Sequence, residues 1–284
     1  GLTAGIYLAR GGAKTLIIEK ESIGGQIASS PLVENYPGFK SVSGSELVDT
    51  FYEQVVDLGV DIEIGEVKSI ENGEIKKVFV DDAVYETKTV IIATGVKHRK
   101  LNLEKEEEFI GSGIHFCATC DGPFYKNKVV AVVGGANSAV INAIYLSSLC
   151  DKVYLIYRGK DLRCENKLKE KVSNLKNVEI LLNSNVTQYL GVDKLERIVV
   201  KDLQCKKEIQ VDGLFLSIGM DPETSIKLNL NKTDNDYYDS VDTLTNLPGI
   251  FVAGDCRNKN VRQVTTAVSD GTVAAINALN YLQN

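Results

Sequence analysis

Two cysteines near the middle of the chain have the spacing of a redox pair. They lie in the segment Cys117-Ala118-Thr119-Cys120-Asp121. A Cys-x-x-Cys pair holds two thiols close enough to close a small disulfide, and an adjacent carboxylate can supply or accept the proton that thiol exchange requires. The segment therefore predicts redox chemistry, with Cys117, Cys120 and Asp121 as the candidate catalytic residues.

A structural zinc site is the other interpretation of this pair. Such a site needs a second Cys or His pair with similar spacing. The two histidines, His98 and His115, form no ligand run. The remaining cysteines stand singly, at Cys150, Cys164, Cys205 and Cys256. We therefore favour the redox interpretation and predict no metal site.

The composition is that of a soluble globular protein of two domains, with 284 residues of which 44% are hydrophobic and 25% charged. The sequence has no apolar run long enough to span a bilayer and no signal segment at its start, so we expect no membrane association. Six cysteines without a disulfide-framework spacing indicate a reducing compartment, and we predict a cytoplasmic protein. The net charge of -6 argues against a general nucleic-acid binder.

The first twenty residues are typical of the second half of a dinucleotide-binding βαβ unit. Small and apolar residues predict a helix up to Gly11-Gly12, and Thr15 to Glu19 predicts a short strand that ends in an acid. In such a unit Gly1 is the last glycine of G-x-G-x-x-G, and Glu19 stands where a carboxylate binds a ribose hydroxyl. We therefore expect the first strand and the first glycines of the unit to precede Gly1.

Four further turns suit a flat nucleotide cofactor. Gly24-Gly25-Gln26 allows close approach of the backbone, and a second polar turn contains Asn35. The strand Val90-Ile91-Ile92 ends in Ala93-Thr94-Gly95, and a strand near the C-terminus ends likewise in Gly254-Asp255. Beyond it, Arg262-Gln263-Val264 opens a helix whose positive end could face a flavin. Each turn alone is ordinary, but the combination in this order predicts a cofactor site.

Together with the Cys-Ala-Thr-Cys-Asp-Gly segment, these motifs resemble the low-molecular-weight flavoprotein thioredoxin reductases over nearly the whole chain. The resemblance implies an α/β fold of two Rossmann-like, three-layer domains of the FAD/NAD(P)-binding type, the second inserted in the first. Residues 1–100 and 219–284 would form the FAD-binding domain. Residues 101–218 would form an NADPH-like domain that carries the disulfide.

The resemblance also implies the roles of the site residues. Cys120 would face the flavin, Cys117 would attack the disulfide of thioredoxin, and Asp121 would be the acid and base. A homodimer is implied, with large rotations of one domain against the other. The residues that would bind FAD are Gly1, Glu19, Gly24, Gly25, Gln26, Asn35, Ala93, Thr94, Gly95, Gly254, Asp255, Arg262, Gln263 and Val264.

The second domain departs from the family at the segments that recognise a nucleotide. The strand Lys128 to Val133 is followed by a turn in which Ala136 stands where glycine lets the backbone approach a pyrophosphate, and then by a predicted helix from Ala143 to Leu149. NADPH-dependent members carry a His-Arg-Arg-x-x-x-Arg run after the next strand. Here that run reads Tyr157-Arg158-Gly159-Lys160-Asp161-Leu162-Arg163, so its first and third residues are changed.

These changes favour another electron donor. The chain resembles the clostridial ferredoxin-dependent flavin thioredoxin reductases, and we predict reduced ferredoxin as the donor. Basic patches would attract this acidic partner. The candidates, Lys97-His98-Arg99-Lys100 and the series Lys160, Arg163, Lys167, Lys169 and Lys171, are also explained as solvated faces. The alternatives are an NADPH-dependent thioredoxin reductase, a dithiol oxidase and a flavin-free zinc-binding protein.

Overall fold

The computed structural model describes residues 1–30 and 32–283, and its chain divides into two compact units. Unit 1 comprises Gly1–Lys97 and Asp221–Asn284, and unit 2 comprises His98–Met220. Unit 2 is therefore continuous in the sequence, whereas unit 1 is built from two segments. The assignment of these units to an FAD-binding and an NADPH-like domain stays a prediction.

The helices and strands are numbered here in chain order. The α-helices are α1 (Leu2–Arg10), α2 (Gly44–Asp57), α3 (Glu106–Phe109), α4 (Ala118–Asp121), α5 (Asn137–Ser147), α6 (Asn166–Ser173) and α7 (Val264–Gln283). The strands are β1 (Leu16–Glu19), β2 (Asp61–Ile64), β3 (Val67–Glu71), β4 (Lys76–Val80), β5 (Ala83–Thr87), β6 (Val90–Ile92), β7 (Val96–His98), β8 (Ile114–His115), β9 (Val129–Val133), β10 (Lys152–Ile156), β11 (Val178–Leu181), β12 (Asn185–Leu190), β13 (Arg197–Lys201), β14 (Lys206–Gln210), β15 (Gly213–Leu216), β16 (Met220–Pro222) and β17 (Ile250–Val252). Short 3-10 turns span Gly25–Ser29, Gly122–Tyr125 and Gly254–Cys256.

Unit 2 is a three-layer structure around a parallel sheet with strand order β11-β10-β9-β15-β8. Successive side chains of a strand point to opposite faces, so β9 contributes side chains to the apolar layers on both faces of the sheet. Val130 and Val132 are buried in the cluster that includes α5, whereas Ala131 and Val133 pack with the antiparallel sheet β12-β13-β14. Both faces of the parallel sheet are therefore covered.

Unit 1 repeats this arrangement. Strands β6 and β17 pair in parallel, and the antiparallel sheet β3-β4-β5 covers one of their faces through Ile92 and Val252. Phe251 on β17 points the other way and packs against α7 through Ala274 and Ala278. A second parallel pair joins β1 to β2. The predicted α/β fold of Rossmann-like, three-layer type is confirmed.

One helix begins earlier than the sequence predicts. We predicted a helix from Ala143 to Leu149, but α5 spans Asn137–Ser147. The polar pair at its start is typical of a turn, yet Ala139 and Val140, immediately after it, are fully buried against the parallel sheet. This burial extends the helix because packing outweighs the weak propensity of its first residues.

No helix within the described ranges has the length and apolar character needed to cross a bilayer.

Candidate functional site

The Cys-x-x-Cys segment lies where unit 2 passes from a short strand into a helix. Strand β8 pairs in parallel with β15, and α4 begins three residues after β8 ends. Cys117 and Cys120 form a disulfide with their Cα atoms 5.3 Å apart. Cys117 Sγ accepts the backbone N–H of Cys120 at 3.2 Å, and both residues are half-buried. The pair is thus held by one turn of helix and remains accessible to a reactant.

Asp121 ends this helical turn and is buried. Its backbone N–H donates to the carbonyl of Cys117 at 3.0 Å, so the carboxylate follows directly on the disulfide. Asp121 Oδ2 lies 3.5 Å from His115 Nδ1. The three predicted catalytic residues are therefore on one turn, although their roles stay a prediction.

Two residues beside this turn were not predicted. His115 Nε2 lies 2.6 Å from the hydroxyl oxygen of Tyr125, and both residues are buried. Burial, together with the charge of Asp121, raises the pKa of Tyr125 to about 12. The sequence suggests for His115 only the role of a metal ligand, because nothing in the spacing shows that β8 and the turn Gly122–Tyr125 meet.

In unit 1 the two predicted strand-end turns lie side by side. Ile92 is in register with Val252 in the parallel pair, so both strands end at one edge of the sheet. Gly95 has φ +73° and Gly254 has φ +78°, and a Cβ at either would point into open space or make only an ordinary contact. Backbone is thus exposed for a close approach at this edge.

The glycine pair and the polar turn come to the same edge. Gly24 and Gly25 both have left-handed backbone, with φ +97° and +56°. The side chain of Gln26 donates to the carbonyl of Val96, just beyond the Ala93-Thr94-Gly95 turn. Asn35 Nδ2 donates to Gln263 Oε1 at 3.3 Å, which brings the polar turn to the start of α7.

The carboxylate of Asp255 is held in position by residues that were not predicted from the sequence. Its Oδ1 lies 3.1 Å from Lys259 Nζ, and Lys259 also lies 3.1 Å from Asp270 Oδ2 on α7. That same carboxylate oxygen accepts the backbone N–H of Gly254 at 3.0 Å. The one hint of this in the sequence is the pair Asp270-Gly271 inside the predicted helix. A glycine there indicates close packing, and Gly271 does lie against Thr3 and Ala4 of α1.

The remaining predicted ligands occupy the expected ends of their elements. Gly1 directly precedes α1, and Glu19 ends β1. Helix α7 begins at Val264, two residues later than predicted, so Arg262 and Gln263 lie just before it. The guanidinium of Arg262 lies 4.2 Å from the ring centre of Tyr237. Left-handed glycine backbone, two carboxylates and two basic groups fit a flat cofactor that carries sugar and phosphate. The residues therefore fit FAD.

Unit 2 has a second glycine turn, between β9 and α5, and it is already engaged by its own chain. The ring of Tyr157 packs on Gly135 and Gly159, whose missing Cβ atoms would lie 2.3 and 2.5 Å from it. The carbonyl of Gly135 accepts the N–H of Arg163 at 2.7 Å. Ala136 is exposed at this turn, so its methyl group stands where a pyrophosphate would approach.

Both predicted basic patches are partly neutralised. Lys97 Nζ lies within 3.4 Å of two carboxylates, and Lys100 Nζ lies 2.6 Å from Glu107. In the second patch Lys169 pairs with Asp161 at 2.5 Å. These ion pairs favour the solvated-face interpretation of both patches. Within the part of the chain that the structure describes, no three His, Cys, Asp or Glu side chains are grouped so as to bind a metal.

Comparisons with known proteins agree with this arrangement. The family described as "Pyridine nucleotide-disulphide oxidoreductase" matches residues 1–271. A thioredoxin reductase of Listeria monocytogenes is 39% identical, over 100% of this chain and 91% of its own. The crystal structure of thioredoxin reductase from Streptococcus pyogenes has TM-score 0.95 at 37% identity, covering 99% of this chain and 94% of that one. A ferredoxin-flavin thioredoxin reductase from Clostridium acetobutylicum has TM-score 0.50 at 32% identity, with coverages of 99% and 95%.

Proposed function

The chain belongs to the pyridine nucleotide-disulphide oxidoreductase family and binds FAD, and on this premise we propose that it is a thioredoxin reductase whose electron donor is reduced ferredoxin. The observation that carries the proposal is the accessible Cys117–Cys120 disulfide, followed directly by the buried Asp121. We further propose that the enzyme works as a homodimer, which is typical of the family.

FAD would be held in unit 1, which is the FAD-binding domain in this proposal, with unit 2 the NADPH-like domain. The ligands are the residues that line the edge formed by β6, β17 and the start of α7. When bound, FAD supplies the electron pair that reduces the disulfide to two thiols. The predicted ligands that meet at this edge are Gly24, Gly25, Gln26, Asn35, Thr94, Gly95, Gly254, Asp255, Arg262 and Gln263.

The reduced pair then acts on thioredoxin by two exchanges. Asp121 accepts the proton of Cys117, and the thiolate attacks one sulfur of the thioredoxin disulfide, so that a mixed S–S bond forms as the thioredoxin S–S bond breaks. Asp121 returns the proton to the sulfur that leaves. Cys120 then loses its proton and attacks Cys117 Sγ, and this proton passes to the second thioredoxin sulfur as that sulfur leaves. The internal disulfide is restored and thioredoxin is released with two thiols.

The choice of ferredoxin depends on the glycine turn of unit 2. An NADPH site needs open backbone for the pyrophosphate and basic groups for the 2′-phosphate. Here the ring of Tyr157 lies against Gly135, and Asn137 at the start of α5 bonds reciprocally with Glu165, at 2.9 and 3.2 Å. The carboxylate of Glu165 at this place would repel the negative charge of a phosphate group.

The test of the donor is anaerobic. The FAD-loaded protein is mixed with excess NADPH, then with reduced ferredoxin, and the flavin absorbance is followed in each case. We expect bleaching within seconds by ferredoxin and none by NADPH. Prompt bleaching by NADPH would show that Arg158 and Arg163 suffice for a nucleotide, and it would leave an NADPH-dependent thioredoxin reductase as the function.

A gain-of-function variant tests the structural reason. An arginine at Gly159 would clash with the Tyr157 ring, so we combine Gly159→Arg with Tyr157→His and Ala136→Gly. We expect this triple variant to gain bleaching by NADPH. Gly159→Arg alone is the matched control, and it is expected to gain none.

The thioredoxin step is tested with cysteine variants. Cys117→Ser and Cys120→Ser should each abolish reduction of thioredoxin while FAD stays bound, because neither residue is in unit 1. Cys205→Ser, which changes an exposed cysteine elsewhere in unit 2, should leave the rate unchanged. A colourless protein that contains zinc would instead support the metal-binding alternative, and rapid reoxidation of the flavin by air would support the dithiol oxidase.

A further inference from the structure

We propose that His115 is a positioning residue that holds the side chain of Asp121 beside the Cys117–Cys120 pair. The inference deepens the proposed function and rests on it, since Asp121 is the acid and base of that reaction. It assigns a role to a buried histidine and a buried tyrosine that the disulfide chemistry itself does not use.

The three side chains form a buried chain of contacts. Asp121 Oδ2 lies 3.5 Å from His115 Nδ1, and His115 Nε2 lies 2.6 Å from the hydroxyl oxygen of Tyr125. His115 is 6% exposed, Asp121 7% and Tyr125 8%. Both rings also pack on Phe215, which is fully buried in the parallel sheet. The imidazole is therefore fixed in orientation, with one nitrogen toward each partner.

The position of the ring proton follows from these contacts. A neutral imidazole has one N–H donor and one acceptor nitrogen. Because burial raises the pKa of Tyr125 to about 12, its hydroxyl keeps its proton and can donate it to His115 Nε2. The ring proton then lies on Nδ1, the ring nitrogen that is 3.5 Å from Asp121 Oδ2. With the opposite tautomer, lone pairs of Nδ1 and the carboxylate would face each other.

Other charged groups near this chain are few and do not replace the histidine. Lys128 Nζ lies 5.3 Å from the ring centre of Tyr125, and Asp212 acts on the same phenol through its charge. The carboxylate of Asp212 accepts the backbone N–H of Val129, so it is already hydrogen-bonded. Cys117 and Cys120 are the titratable groups next to Asp121. His115 is therefore the polar side chain that lies against this carboxylate.

Loss of the Nδ1–H that faces the carboxylate should leave Asp121 protonated up to a higher pH, so that less of it can accept the proton of Cys117 at low pH. A hydrogen bond to a charged group stabilises the charged form. The pH limb of Cys117 is the range of pH over which its alkylation rate rises. In His115→Phe, which keeps a ring but no donor, we expect this limb to move up by about one pH unit. At a pH below the limb this is about a tenfold slower reaction. His115→Asn, whose amide N–H can replace Nδ1–H, should restore most of the rate.

The measurement uses the full FAD-loaded protein reduced with dithiothreitol and freed of excess reductant. Alkylation of Cys117 by iodoacetamide is followed by peptide mass spectrometry from pH 5 to 9. His98→Phe, which removes the other histidine of unit 2, is the matched control and should keep the wild-type limb. Melting temperature shows that each variant is folded.

Two results would overturn the inference. One is a limb in folded His115→Phe that coincides with wild type. The other is an equal shift in His115→Phe and His115→Asn, which would indicate a general disturbance of packing. Failure of the proposed function is a separate result, since it shows as absence of thioredoxin reduction by the wild-type protein, whatever the alkylation limb of the variants.

Discussion

Glu106 is a buried carboxylate that holds the start of unit 2, and its replacement should be among the most destabilising changes in this unit. It is 3% exposed. Its Oε1 accepts the N–H of Leu101 and the hydroxyl of Tyr189, both at 2.9 Å. Its Oε2 accepts the N–H of Asn102 at 2.6 Å and that of Leu103 at 3.3 Å. Burial and the charge of Glu106 raise the pKa of Tyr189, so its hydroxyl stays a donor.

The Glu106→Ala variant leaves these four donors without their acceptor. Hydrogen bonds to charged groups contribute about 1.5–3 kcal/mol each, but they are not additive, and water can reach part of the space that the side chain leaves. We expect the free energy of unfolding to fall by about 4 kcal/mol. For a unit of this size the melting temperature should fall by about 15 °C.

The assay combines thermal unfolding with hydrogen exchange at the amides of residues 101–103. Exchange there should be faster in Glu106→Ala, while the sheet of unit 1 keeps its protection. Glu107→Ala is the matched control, because the Glu107 side chain is 75% exposed and pairs with Lys100 at the surface. That variant should change the free energy of unfolding by less than about 0.5 kcal/mol. Equal melting temperatures for the two variants would refute the reasoning.

Three further predictions concern other residues. Gly44→Ala should lower the melting temperature and weaken FAD retention, because a Cβ there would lie 1.8 Å from the carbonyl oxygen of Ile27; an unchanged flavin content would contradict this. At pH 8 iodoacetamide should label the exposed Cys205 well before Cys150, whose pKa burial raises to about 11, and equal labelling in peptide mass spectra would argue against it. Burial lowers the pKa of His98 to about 4, so its NMR titration midpoint should lie well below 6.5. Its contribution to stability should be complete above pH 6.5 and be lost as the pH falls toward 4; a midpoint near 6.5 would exclude this.

Short-range patterns predicted much of the fold and part of the site. Val129–Val133 and Val90–Ile92 are continuous apolar runs, which is what a strand buried on both faces requires, and both are strands in the structure. The spacing of Cys117 and Cys120 predicted two thiols close enough for a disulfide, and the structure contains that disulfide. The start of α5 was wrong because the burial of Ala139 depends on a sheet that local residues do not reveal.

The contacts that sequence could not predict depend on how whole helices and strands pack. Asp270 reaches Gly254 only because α7 folds back across the end of β17. His115 reaches Tyr125 because β8 pairs with β15, whose residues lie about a hundred positions further along the chain. Neither contact leaves a periodic pattern or a motif, since one polar residue at the right end of an element is enough to form it.

The two-segment construction of unit 1 has a consequence for the order of folding during synthesis. Strand β6 can pair with β17 only after all of unit 2 has been made, whereas unit 2 is continuous and has its whole parallel sheet available earlier. Folding of unit 2 places Arg99 N 3.1 Å from the carbonyl oxygen of Gly219. The long loop between the two halves of unit 1 is then closed in advance, and the entropy of that closure no longer opposes their pairing. Early folding of unit 2 would thus speed the pairing of the two segments of unit 1 that flank it in the sequence.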